Sequence, residues 1–407
     1  MSPLPAFLHP FARPARPAEE FITIVGGQGA EVWDGHGRRF IDGMASLWYC
    51  NVGYGRTEIA DAAHRQMSTL AAFSCFDPFT NEPADELAEV IAGLAPVADS
   101  RVFFTSSGSE AVDSAIKLAR MAQVRAGHPE RTVILSRARA YHGVTYGGMT
   151  AQGLPLNREG FGPYVDGMVN LPADDIEAWA GYLAEHGPEV AAILTEPVQG
   201  AGGVYPPPDG FLAGLRRLAD QHGCYLIFDE VICGFGRLGR WWAADHYDVR
   251  PDLTTFAKAV TSGYVPLGGV LVAPSVRAPL ENDDAWLLRH GHTYSGHPTA
   301  CAAGLANLRI LREERLVERA PAIGQRMFDG FRAIAADGRL AEVRAEGAVG
   351  AIKLTPDHDA FAVRDALMDA GVITRAVNAE TLTWCPPLVI TDDQVDRVVD
   401  AVAGALG

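Results

Sequence analysis

Two residues, Asp229 and Lys258, each stand where a short apolar run ends. Tyr225-Leu226-Ile227-Phe228 leads into Asp229, and Leu253-Thr254-Thr255-Phe256-Ala257 leads into Lys258. Both runs are rich in aromatic or β-branched residues and bounded by polar or glycine-rich turns, the pattern of buried strands. In an open α/β sheet, ligands bind in the crevice beyond the carboxyl ends of the strands. An acid and an amine delivered there suit pyridoxal phosphate, which needs a lysine for a Schiff base and an acid to keep its ring nitrogen protonated. A buried structural ion pair would explain the same two residues equally well.

Other strand ends carry related chemistry. Thr105-Ser106-Ser107-Gly108-Ser109-Glu110 lies between an apolar run at 102–104 and a helical pattern over about 110–126. A helix N-terminus offers free N–H groups and partial positive charge to a phosphate, and Gly108 lets the backbone approach closely. Plain helix capping by Ser109 is the alternative. Tyr141-His142-Gly143 follows the run at 133–135 and could stack a ring on a flat cofactor or simply pack under a loop. Thr195-Glu196-Pro197-Val198-Gln199-Gly200 closes another run, where Pro197 turns the chain out of the sheet and presents Glu196 and Gln199 to the crevice. An anion cradle, an aromatic face, acids and a lysine converging on one locus are hard to explain by core packing.

The elements that must position these residues alternate. Strands at 102–104, 133–135, 191–194, 225–229, 253–257 and 269–272 are separated by helices that include 110–126, 174–184 and 210–221. This order predicts an α/β domain over about 55–295 with a mainly parallel sheet covered on both faces. Residues 1–54 and 296–407 form the expected smaller domain, with a long helix from about Ala300 and another at 359–370. Strands at 30–33 and 39–41 flank Asp34-Gly35-His36-Gly37 as a hairpin. Gly26-Gly27-Gln28-Gly29 neither follows a buried strand nor opens a helix, so it reads as a turn and not as a dinucleotide loop. The first twenty residues, rich in Pro and Ala, are expected to run irregularly over the surface.

The 407 residues allow two domains and a large core. A net charge of −16 argues against a nucleic-acid surface, which requires clustered Lys and Arg. Six scattered cysteines without a CxxC pair read as reduced thiols. No signal peptide or membrane-length apolar run is recognisable, so a cytoplasmic location is expected.

These residues resemble the class III (ω-type) aminotransferases of the fold type I pyridoxal-phosphate enzymes. The resemblance runs from His9-Pro10-Phe11 through Asp42-Gly43-Met44-Ala45 and Asn51-Val52-Gly53-Tyr54-Gly55 to Cys385-Pro386-Pro387-Leu388. Its most specific stretches are Ser107-Gly108-Ser109-Glu110-Ala111, Tyr141-His142-Gly143, Glu196-Pro197-Val198-Gln199-Gly200, Asp229-Glu230-Val231, Phe256-Ala257-Lys258 and Thr293-Tyr294-Ser295-Gly296-His297-Pro298. The resemblance implies that Lys258 is the Schiff-base lysine and proton shuttle, and that Asp229 pairs with the pyridine nitrogen. Val231 and Tyr141 would cover the two ring faces, with His142 also at the cofactor and Gln199 reaching the phenolic oxygen. Ser107, Gly108 and Ser109 would hold the phosphate, and Thr293 would complete the phosphate site of a neighbouring subunit, implying a homodimer or higher oligomer. Arg375 matches a mobile arginine that grips substrate carboxylates, although Asn378 stands where relatives often carry glycine. Glu196 could pair with Arg375 when an uncharged amine end occupies the pocket. Trp48 resembles a pocket-lining aromatic, with Phe73 and Phe76 as weaker additions and core packing as the alternative for Trp48. His290, His292 and His297 are expected to frame Thr293, not to bind a metal.

The activity implied is transfer of an amino group from a primary amine or ω-amino acid to a keto acid, pyruvate being expected, by a ping-pong mechanism. An aminomutase or racemase would use the same residues, and a noncatalytic binding protein is the reading from another class. The donor, the acceptor, the stereochemistry and dimer versus tetramer stay open at this level.

Overall fold

A computed structural model describes residues 4–407; the first three residues of the proline-rich N-terminal stretch lie outside it. The rest of that stretch is irregular up to a short 3-10 turn at Ala18–Glu20, with Leu4, Phe7, Leu8 and Phe11 exposed.

The apolar runs assemble into one seven-stranded sheet. Its order across the sheet is Arg101–Thr105, Gly268–Val272, Leu253–Phe256, Tyr225–Asp229, Val190–Thr195, Val133–Arg137 and Met168–Leu171. Every pairing from Leu253–Phe256 to Met168–Leu171 is parallel, and only Gly268–Val272 runs against its two neighbours. Alternation along the strands sends side chains to two separate cores. Leu135, Ile193, Leu226 and Phe228 join one, while Ile134, Leu194, Ile227 and Val270 join the other beneath the helix Gly108–Arg125. Burial on both faces is why these strands read as continuous apolar runs and not as alternating ones.

Both chain ends build two further sheets. Ile24–Gln28, Glu31–Asp34 and Arg39–Asp42 form an antiparallel meander, and Val372–Ile373 adds in parallel to Arg39–Asp42. The expected hairpin is therefore present. The glycine-rich segment before it corrects the turn reading: Gly26 and Gly27 lie within a strand, pairing with Trp33 and Val32. Trp33 and Tyr54 lie so close to Gly26 and Gly27 that a Cβ at either would approach a ring within 3.0 Å, so the glycines serve close packing. Leu340–Glu346, Val349–Leu354, Thr381–Trp384 and Arg375–Asn378 make the third sheet, packed against the helix Leu316–Ala336.

Arg237, fully buried, ties these regions to the large sheet. Its guanidinium donates to the carbonyls of Ala348 (3.2 Å) and Pro386 (2.7 Å) and to Asn51 Oδ1, while Asn51 Nδ2 donates to the Phe235 carbonyl. A buried guanidinium persists because acceptors from several segments satisfy it. No helix among the described residues is long and apolar enough to cross a membrane.

Candidate active site

The strands Tyr225–Asp229 and Leu253–Phe256 are parallel neighbours, with Asp229 in register with Thr255. Their carboxyl ends therefore open on the same edge of the sheet. Asp229 is buried, and both of its carboxylate oxygens have partners. Oδ1 accepts from Thr255 Oγ1 (3.0 Å) and from the Val231 N–H (3.2 Å), while Oδ2 meets His142 Nδ1 at 2.8 Å. His142 is itself buried, and its other ring nitrogen, Nε2, has no partner.

Lys258 begins a short 3-10 turn and holds φ at 49°. An L-residue accepts this left-handed backbone only when its surroundings impose it, a pattern concentrated at functional sites. The half-buried side chain makes no hydrogen bond or ion pair among the described residues, although Asp229 and Glu196 are its main acidic influences. Burial pulls the Lys258 amine below the usual lysine range, with those carboxylates opposing. Asp229 and Lys258 thus share a site without forming the ion pair that the pair of residues alone allowed.

Around them Ser107, Gly108, Ser109, Tyr141, His142, Glu196, Asp229, Val231 and Lys258 line a cavity of about 160 Å³. Ser107, not Ser109, caps the helix Gly108–Arg125, its hydroxyl accepting from the Glu110 N–H at 3.2 Å. The Ser109 hydroxyl instead accepts from the Val144 N–H (3.1 Å), binding the helix start to the loop after Gly143. Both hydroxyls keep a hydrogen to donate. The N–H groups of Gly108 and Ser109 donate no hydrogen bond among the described residues, as expected in a first helical turn. A Cβ on Gly108 would meet Val231 at 2.9 Å, so glycine is what lets the helix start close against the cavity wall.

Glu196 stands across the cavity with both oxygens held by backbone. Oε1 accepts from the Tyr141 N–H (2.8 Å) and Oε2 from the Gly200 N–H (2.9 Å). Burial outweighs these bonds and pushes its carboxyl up to about 7. Glu230, equally buried, takes N–H bonds from Ala243 and Ala244, and burial pushes it up to about 8.

The remaining expected residues lie outside the cavity wall. Gln199 is buried in the same loop, one amide hydrogen given to the Ala138 carbonyl (2.8 Å) and Oε1 left without a partner. Trp48 is buried in a cluster with Met44, Val198 and Ile232, and Ile232 itself lines the cavity. Arg375 is half-buried, makes no side-chain hydrogen bond or ion pair among the described residues, and has Tyr141 as its electrostatic neighbour; it is not paired with Glu196. Thr293 is exposed and away from the cavity of its own chain. Phe73 and Phe76 are also exposed, and Phe76 lines a different depression beside His290 and Gly291. Ser114 bridges His290 (3.0 Å) and His292 (3.1 Å), whereas His297 takes no part in that link.

Sequence reasoning missed Thr255, Gly143 as a lining residue, and Ile232. Thr255 had a signal: a hydroxyl in a buried strand needs a partner, and the parallel neighbour ends in an acid.

The raised carboxyls carry a pH signature. A carboxyl raised in the folded state above its value of 4.5 binds protons in preference to the unfolded chain, so stability falls as pH rises. For Glu196 the window runs from 4.5 to about 7, and for Glu230 from 4.5 to about 8. Urea unfolding across that range should show wild type losing stability relative to Glu196→Gln and Glu230→Gln; parallel curves would refute the assignment.

The class-III aminotransferase family model matches residues 13–406. Putrescine–pyruvate aminotransferase of Pseudomonas aeruginosa is 37% identical over 410 residues, covering 92% of this chain and 88% of that protein. A transaminase from the marine bacterium Virgibacillus superposes with a TM-score of 0.94 at 37% identity, over 98% of this chain and 96% of that one. A thermostable (S)-enantioselective ω-transaminase from Thermomicrobium roseum gives the same TM-score and identity over 98% and 95%. The α/β fold of type I and the assignment as an enzyme of amino-group transfer, not a noncatalytic binding protein, stand on these matches. The chain belongs to the class-III aminotransferases.

Proposed function

We propose that this aminotransferase binds pyridoxal 5′-phosphate in the cavity at Lys258 and moves an amino group from a primary amine or ω-amino acid to a keto acid, with pyruvate as acceptor. The observation that carries this reading is the Lys258 amine, without a partner among the described residues, in one cavity with an Asp229 carboxylate held by Thr255, the Val231 N–H and His142. The polar atoms left over fit the same group: the Gly108 and Ser109 N–H groups and the two serine hydroxyls suit a phosphate, and the second Nε2 hydrogen of Gln199 suits a ring oxygen. Tyr141 and Val231 are assigned to the ring faces, with His142 orienting Asp229. When bound, the cofactor supplies a carbonyl for the Schiff base and an electron sink for the donor carbon.

The chain's own contribution is proton control. Burial favours the neutral Lys258 amine, the form that acts as nucleophile and base. It takes the proton from the donor carbon and returns one at the end of the half-reaction. Asp229, held in place by Thr255, the Val231 N–H and His142, is assigned to the ring nitrogen. The deaminated product leaves before the acceptor enters, a ping-pong order. Pyruvate is supported by a relative whose name specifies it.

Trp48, Glu196 and Arg375 are assigned to substrate: Trp48 as apolar wall, Arg375 as carboxylate clamp, and Glu196 as the partner of Arg375 when the donor lacks a carboxylate. Thr293 is assigned to the neighbouring subunit's phosphate site, in a homodimer or larger assembly of two-domain subunits divided at about residues 55 and 295. Exposure of Thr293 together with Phe73, Phe76 and Tyr294 supports that surface as subunit contact. Six unpaired cysteines support a reducing, cytoplasmic setting.

Lys258→Ala should lower turnover by at least about 10³-fold while retaining some cofactor through the phosphate cradle. Borohydride should trap cofactor on Lys258 of the wild type; label elsewhere, or near-normal turnover of the variant, would refute the site. In a donor panel run with pyruvate and 2-oxoglutarate, Arg375→Ala should raise KM for ω-amino acids about 10- to 100-fold and spare simple amines. In the same panel Glu196→Gln should shift the preference between the two donor types; an unchanged preference would remove its role. Light scattering should give at least twice the chain mass, and a monomeric active enzyme would remove the Thr293 assignment.

A further inference from the structure

Asp42 is a carboxylate with no evident part in the chemistry, yet it is buried and saturated with donors. It ends the strand Arg39–Asp42 at 2% exposure. Oδ1 accepts from the Met44 N–H at 2.9 Å, and Oδ2 accepts from both the Ser46 N–H and the Tyr54 hydroxyl at 2.5 Å. The residues it holds form a turn of unusual backbone. Ala45, Ser46 and Trp48 have φ of 46°, 59° and 67°, all in the left-handed region and none of them glycine. Such a conformation is disfavoured for a residue with a Cβ and persists only where the surroundings over-determine it. The Asp42 oxygens are the fixed acceptors that meet the donors of this turn, and the turn ends at Trp48.

The same strand end borders Arg375. Asp42 is in register with Ile373, and the Gly43 N–H donates to the Ile373 carbonyl at 3.0 Å, two residues before Arg375. That link uses backbone only. Changing the Asp42 side chain therefore releases the Trp48 turn and leaves Val372–Ile373, just upstream of Arg375, paired to Arg39–Asp42. Trp48 in turn shares a buried cluster with Ile232 on the cavity wall.

We infer that Asp42 is a positioning residue for donor specificity, fixing the strained turn that sets Trp48 against the substrate pocket, with Tyr54 as its side-chain partner. This rests on the reading of Trp48 as pocket wall. Loss of the clamp lets the turn relax and shifts the indole, altering how bulky apolar donors fit while donors gripped through a carboxylate by Arg375 keep their anchor. A shift of that kind changes the ratio of kcat/KM between donor types, whereas general loss of folded enzyme lowers both equally.

The test compares the loaded wild type with Asp42→Asn, Tyr54→Phe and Trp48→Ala, using an arylalkylamine and an ω-amino acid as donors with pyruvate. Asp42→Asn and Trp48→Ala should each change the kcat/KM ratio of the two donors by about tenfold or more, mainly through KM for the amine, with Tyr54→Phe moving the same way by less. If Trp48→Ala changes the ratio and neither Asp42→Asn nor Tyr54→Phe does, the inference fails and the pocket reading of Trp48 stands. If Trp48→Ala leaves the ratio unchanged, the pocket reading fails and takes the inference with it. An equal fall for both donors in Asp42→Asn identifies a merely structural residue and overturns the proposal. Should Asp42→Asn not accumulate as folded protein, Tyr54→Phe, which removes one hydroxyl donor, decides the matter by the same ratio.

Discussion

A buried carboxylate beside a desolvated amine would ordinarily form an ion pair, because attraction grows in a low-dielectric interior and an unpaired charge there is costly. Here Asp229 is satisfied another way. Thr255, the Val231 N–H and His142 occupy its oxygens, and Lys258 is left without a partner. The separation depends on strand register: Asp229 sits level with Thr255, three residues before the lysine on the neighbouring strand. A slip of one residue would turn Thr255 to the other face of the sheet and remove the hydroxyl. The parallel pairing of these two strands is therefore the constraint on which the chemistry of the site rests.

Around that pairing, the backbone takes conformations that are disfavoured in isolation. Lys258 is left-handed, and Gly143 holds φ at 97° against Ser109, where a Cβ would meet the serine hydroxyl oxygen at 2.4 Å. Glu196 ties the Tyr141 loop to the Gly200 loop through two N–H bonds. The carboxyl ends of several strands are thus fastened to one another above the sheet. Rigid elements below and fastened loops above favour preorganisation of the cavity.

Much of this was legible in the chain because local rules govern it. Buried strands of four to six residues with both faces covered read as apolar runs, and the residues that follow them fall at the crevice by topology. That reasoning reached Asp229, Lys258, Glu196, Tyr141 and the Ser107–Ser109 cradle. It failed where the meaning of a residue depends on a distant neighbour. Gly26 and Gly27 suggested a turn, yet Trp33 and Tyr54 packed over them require glycine inside a strand. Ser109 suggested a cap, yet the helix begins two residues earlier, at Gly108, and Ser107 takes that place.

The order of strands and helices and the residue types at strand ends were determined by the sequence itself, through periodicity and turn chemistry that act over a few residues. Which groups are spent and which remain free was decided only by tertiary structure. The hydrogen bonds that hold Asp229 to Thr255 and His142, Glu196 to Tyr141, and Asp42 to Tyr54 depend on pairings across 12 to 87 residues of chain. Burial, which shifts Lys258 and Glu196 in opposite directions away from their charged forms, exists only once those pairings have closed the cavity.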